Sequence, residues 1–102
     1  MDVDLARHQW QDGIRRIEGM RADHGRYADR MEQVDVLVNA LRQRVGQVFT
    51  LEELAQSYDG ADDWARAVLD EANPEAPPVS EAGTVADAAF HLYARGATDY
   101  RP

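Results

Sequence analysis

The strongest constraint on this chain is a run of apolar residues between Tyr27 and Val48. Tyr27, Met31, Val34, Val38, Leu41, Val45 and Val48 recur at 4-3-4-3-4-3 spacing, an a/d seam about three heptads long. A strand repeats every second residue, so only a helix brings these side chains to one face. Leu37 widens the stripe, as a helix with more than one neighbour requires. The preceding segment, from about Val3 to His24, carries a second stripe: Val3, Ala6, Trp10, Ile14, Ile17 and Met20. Gly13 and Gly19 weaken that helix by up to about 1 kcal/mol each, which predicts a bend or an early end near Gly19. Gly25 lies between the stripes and reads as the turn of a helical hairpin over residues 1–48. The two helices are expected to pack on each other and build the core. The alternative use of the seam is to pair two chains as a homodimer.

The clearest helix start follows. Thr50 and Glu53 have the spacing of a capping box, and Phe49 and Leu54 that of a hydrophobic staple. Asp59-Gly60 should stop this helix. Asp62 and Asp63 then place negative charge where the next helix dipole favours it, and Asn73-Pro74 ends that helix. Residues 49–72 thus read as a helix pair. Residues 73–83 read as an extended, Pro-rich surface linker. Thr84 and Asp87 resemble a second capping box, opening a last helix over 84–96 that closes on Gly96, with 97–102 as a tail. The expectation is an all-α single domain of about five helices, with the N-terminal hairpin packed against the helix pair and the C-terminal helix.

Charge narrows the classes of partner. The formal net charge of −8 is unevenly spread: residues 1–49 carry eight acidic and eight basic side chains, and residues 50–102 carry eleven acidic against three basic. Such a field repels phosphate backbones and favours basic partner surfaces. The basic residues are all arginine, which a GC-rich coding sequence explains most simply. There is no cysteine, which removes disulfides and thiolate chemistry and fits a cytoplasmic location. No apolar stretch approaches the roughly 20 residues of a membrane span, and the acidic start Met1-Asp2-Val3-Asp4 is unlike a signal peptide.

Residues 32–72 resemble the three-helix core of a helix-turn-helix domain. The helix ending near Val48 would be the first, Thr50-Leu51-Glu52-Glu53-Leu54-Ala55 resembles the opening of the positioning helix, and Asp59-Gly60-Ala61 would be the turn. That resemblance implies a recognition helix over Asp62–Ala72 and a role in transcription regulation. In composition the chain also resembles small proteins of high-GC actinobacteria, which implies no activity. The positions that should enter a major groove hold Asp62, Asp63 and Trp64, where base readout needs Arg, Lys, Asn, Gln, Ser or Thr. Arg66 is the only basic residue in that stretch. DNA binding as a dimer would therefore fall to the hairpin, with Arg15, Arg16 and Arg42 as its candidate residues among interspersed carboxylates.

Nothing in the sequence points to catalysis. Asp4, His8 and Asp12 share one helix face but lack a partner cluster, so no metal site is expected, and no cofactor. No phosphate loop or nucleophile elbow is present, and Ser57 and Ser80 lack a local base. His91 reads as a helix C-terminal cation. The expected function is non-enzymatic: an acidic protein-binding module, a regulator or adaptor docking on a basic surface. Its candidate contacts are Asp62, Asp63, Trp64, Tyr58 and Tyr93, since aromatics are enriched at hot spots. Trp64, one turn before Val68, reads more simply as core. The alternative is the helix-turn-helix regulator.

Overall fold

The computed structural model describes every residue except Pro78. It contains five helices and, among the described residues, no strand: α1 (Val3–Glu18), α2 (His24–Arg44), α3 (Leu51–Ser57), α4 (Ala61–Ala72) and α5 (Ala82–Ala94).

Local chemistry explains most boundaries. The Asp2 carboxylate accepts the N–H groups of Asp4 and Leu5, at 2.9 and 3.2 Å, and starts α1. The chain then turns tightly over 19–23, with Met20 N–H to Ile17 O at 2.9 Å and Asp23 N–H to Met20 O at 2.8 Å. Asp23 caps α2 through the Arg26 N–H at 3.1 Å. The early end expected near Gly19 is therefore present, whereas Gly25 lies inside α2 and is not the turn. An aspartate offering a cap outweighs the low helix propensity of the glycine two residues on.

The expected capping box of Thr50 and Glu53 is formed in both directions: Glu53 N–H to Thr50 Oγ1 is 3.2 Å, and Thr50 N–H to Glu53 Oε1 is 3.1 Å. Phe49 and Leu54 are both buried. Gly60 takes the left-handed conformation, φ 71°, between α3 and α4. The second capping box is not formed. α5 begins at Ala82, ahead of Thr84, with no side-chain cap at Glu81, and its first two turns bury Ala82, Val85 and Ala86. Asp87 is then in the second turn, too far along to serve the first N–H groups.

Packing departs further from expectation. α1 lies chiefly against α5 and touches α2 little, so the hairpin is open and the C-terminal helix fills it. α5 is the centre of the molecule and also meets α2, α3 and α4. Its small residues explain this, since Ala82, Ala86, Ala88, Ala89 and Ala94 are buried and let neighbours approach closely. The tightest crossing is at Gly13. A Cβ there would overlap the Asp87 Cβ and stand 3.0 Å from both the Ala88 nitrogen and the Thr84 oxygen. Phe90 of α5 anchors an aromatic cluster, with ring centroids 5.6 Å from Trp10, 5.2 Å from Tyr58 and 6.1 Å from Trp64.

The seam of α2 is only partly spent. Val34, Leu37 and Leu41 are fully buried, Val38 and Val45 half-buried, and Val48, beyond the helix end, is 81% exposed. After Val45 the chain leaves the helix through Gly46 at φ 98°. The tail folds back: Thr98 N–H donates to Phe49 O at 2.9 Å, and the Asp99 carboxylate accepts the Leu51 N–H at 2.9 Å.

Candidate protein-binding face

Three of the candidate residues lie on α4, whose inner side is set by Ala61, Ala65 and Leu69, all buried. Its exposed residues include Asp62, Asp63, Arg66, Ala67, Asp70 and Glu71. That surface thus holds four carboxylates and one guanidinium. Arg66 is shared between Asp62 and Asp63, at 3.4 and 3.8 Å. Pairs this exposed contribute little to stability, so the carboxylates are held by the helix and not by Arg66. Asp59, at the corner before α4, is exposed as well.

Trp64 is half-buried: one side meets Phe90, and the Arg44 guanidinium lies over the ring at 5.1 Å. Tyr58 is half-buried too. Its hydroxyl donates to Asp87 Oδ1 and stands 3.0 Å from Gln9 Oε1. Tyr58, Asp62 and Asp87 line one small cavity of about 270 Å³ at the start of α4 and α5. Burial raises the Tyr58 pKa, and the Asp87 and Asp62 charges push it the same way. Burial also raises Asp87, against the Tyr58 hydrogen bond and Arg16, which lower it. Tyr93 lies apart from this group. Its ring stacks on Phe49 at 4.7 Å and its hydroxyl donates to Gly46 O, closing the loop after α2.

The structure therefore brings Tyr58, Asp62, Asp63 and Trp64 together at the α3–α4 corner. It commits the polar ends of Tyr58 and Tyr93 to internal bonds. Gln9 and Arg44, which hold that corner, had no helical-period or motif signal, and Asp87 was legible only as a capping residue, because each acts on a residue far away in sequence.

The arginines of the competing nucleic-acid surface do not form one patch. Arg15 and Arg16 are exposed in the last turn of α1, and the tight 19–23 turn puts them beside the start of α2. Arg42 is exposed near the far end of α2, about 27 Å along the helix from its first turn. Of the others on these helices, Arg26 and Arg30 bind Glu81 at 2.7 and 3.0 Å, and Arg44 binds the carbonyls of Ser57 and Asp59.

The histidines are distributed without a common site. His8 Nδ1 lies 2.8 Å from the Asp4 backbone oxygen. His91 lies in the last turn of α5 as expected, while burial, then the charge of Arg95, lowers its pKa and favours the neutral ring. Among the described residues no helix is long and apolar enough to cross a membrane. Family models, curated proteins and solved structures give no match to this chain.

Proposed function

We propose that the chain is a non-enzymatic binding module, a cytoplasmic regulator or adaptor that docks the exposed acidic face of α4 on a basic protein surface. The observation that carries this is the charge on that face: Asp62, Asp63, Asp70 and Glu71 against Arg66 alone, on a helix anchored by Ala65 and Leu69. A rigid helix presents charge without the ordering cost of a loop, and complementary potential speeds encounter with a basic partner. Trp64 at its edge supplies apolar area beside the charges, while its contacts with Phe90 and Arg44 hold the ring in place. The helix-turn-helix likeness of 32–72 is compatible with this use, since such cores also serve protein contacts, though that support is analogy.

The test is capture of partners from nuclease-treated native extract by three proteins: the wild type, Asp62→Arg with Asp63→Arg, and Arg15→Glu with Arg42→Glu. The proposal expects a stoichiometric protein bound by the wild type and the arginine variant, released at high salt, and lost with the aspartate variant. A partner captured only from parallel extract without nuclease, or binding that follows the arginines instead, would replace it with the DNA-binding regulator.

A further inference from the structure

Asp87 sits at the tightest crossing in the molecule. The Cβ that Gly13 lacks would overlap the Asp87 Cβ, so α1 and α5 meet at the stem of this side chain. Gln9, one turn before Gly13 on α1, reaches the same place, and so does Tyr58 from the end of α3. Three oxygens therefore stand in a row. Asp87 Oδ1 is hydrogen-bonded to Tyr58 Oη, which lies 3.0 Å from Gln9 Oε1.

Two hydrogen bonds in this row need two protons. A carboxylate and an amide oxygen only accept, and a hydroxyl donates once. With Asp87 ionised, the Tyr58 proton serves its carboxylate, and Tyr58 Oη faces Gln9 Oε1 with no proton between them. With Asp87 protonated, its carboxyl donates to Tyr58 Oη, the Tyr58 hydroxyl turns to Gln9 Oε1, and both bonds are made.

We propose that Asp87, Tyr58 and Gln9 form a proton-operated latch, in which one proton on the Asp87 carboxyl closes a hydrogen-bond chain joining α5, the end of α3 and α1. Loss of that proton releases Gln9 and leaves the chain with one bond. Burial favours the protonated carboxyl most; the Tyr58 hydrogen bond and Arg16 of α1 oppose it, and Asp62 of α4 and Asp12 of α1 support it. Tyr58 keeps its own proton throughout, because burial and the Asp87 and Asp62 charges raise its pKa. The second proton must then come from Asp87. The cavity lined by Tyr58, Asp62 and Asp87 opens the carboxyl to exchange with solvent. The latch ties the α3–α4 corner to α1 and α5, but its geometry owes nothing to the docking role of α4, and the failure of either leaves the other standing.

The experiment follows the Asp87 titration by carboxyl-carbon NMR in the wild type and in Gln9→Leu. The latch predicts that this substitution lowers the Asp87 pKa, because only the protonated form loses a bond. A Gln9 amide turned to donate its N–H to Tyr58 would instead support the ionised form, and its removal would raise the pKa. A rise, or no change, would overturn the proposal. Asp87→Asn gives a second measurement, since its amide can donate at every pH. In the wild type, hydrogen-exchange protection of the backbone amides over 57–62 should fall roughly fivefold as pH rises through the Asp87 titration, once intrinsic exchange rates are divided out. In Asp87→Asn it should stay constant. Identical protection profiles in the two proteins would equally sink the latch.

Discussion

The guanidinium of Arg44 lies 5.1 Å over the Trp64 ring while its Nε and Nη2 atoms donate to Ser57 O at 2.9 and 2.6 Å. Nη2 also reaches Asp59 O at 2.9 Å. One side chain from the end of α2 thereby satisfies carbonyls at the end of α3 and braces the first turn of α4. The terminal carbonyls of a helix have no partner within it, and a seven-residue helix such as α3 has little else to hold its end. The corner that carries Tyr58, Asp62, Asp63 and Trp64 depends on this contact.

Arg44→Ala should therefore cost about 2 kcal/mol, the usual loss when a charged donor leaves partly buried acceptors unmatched. In a chain of this size that corresponds to a fall of roughly 8 °C or more in Tm by calorimetry. Arg44→Lys should rescue little, because an ammonium cannot fork between two carbonyls and stack on an indole at once. A lysine variant as stable as wild type would show that charge alone matters at this position.

Glycine substitutions should separate by packing. Ala replacing Gly in a helix interior ordinarily gains up to about 1 kcal/mol. Gly25→Ala should follow that rule in sign with a smaller gain, since Gly25 is the second residue of α2 and its nearest outside atom would be Asp23 Oδ1 at 3.9 Å. Gly13→Ala should reverse it and cost about 1–3 kcal/mol, because the new methyl meets the α5 backbone. Urea denaturation of the two variants reads the sign directly, and a stabilised Gly13→Ala chain would mean that α1 and α5 are further apart.

Two carboxylates should give opposite pH dependence. Burial raises the folded pKa of Asp87, so its contribution is fully present below the ordinary carboxylate value and is lost as pH rises through the raised one. The hydrogen bonds from Arg26 and Arg30 lower that of Glu81, so its contribution is present above the ordinary value and is lost as pH falls through the lowered one. Relative to wild type, Asp87→Asn should gain stability as pH is raised from about 4 to 7, and Glu81→Gln should lose it as pH is raised from below towards the ordinary carboxylate value. Denaturant midpoints at several pH values test both, and parallel curves for all three proteins would contradict the assignment.

The start of α3 is capped twice, from within and from the tail. Thr50→Ala should cost about 1 kcal/mol by removing the cap. Asp99→Ala should cost a similar amount, because its carboxylate takes the Leu51 N–H at 2.9 Å. Since the two act on neighbouring donors of one short helix, the double variant should depart from additivity by about 0.5 kcal/mol or more. A double-mutant cycle in denaturant measures that coupling.

Sequence alone was enough for what acts within a turn or two of chain. The capping box of Thr50 and Glu53, the stop at Gly60, the stripe of Ala6, Trp10, Ile14 and Ile17, and the all-α class were all legible, because each rests on hydrogen bonds or periodicity among near neighbours. The reading of Gly25 as the turn failed at the same scale, because the Asp23 cap starts α2 ahead of it. Tertiary structure alone decided which faces meet. A stripe states that a face must be buried without naming its partner, so nothing local showed that α1 would close on α5 across the groove left open by α2. The same holds for the candidate site. Asp62 and Asp63 were visible as charges, but whether Tyr58, Trp64 and Tyr93 faced outward depended on Asp87, Arg44 and Gly46, from 20 to 47 residues away. Contacts over that distance follow from how the small side chains of α5 let five helices close together, and no short window of sequence contains that information.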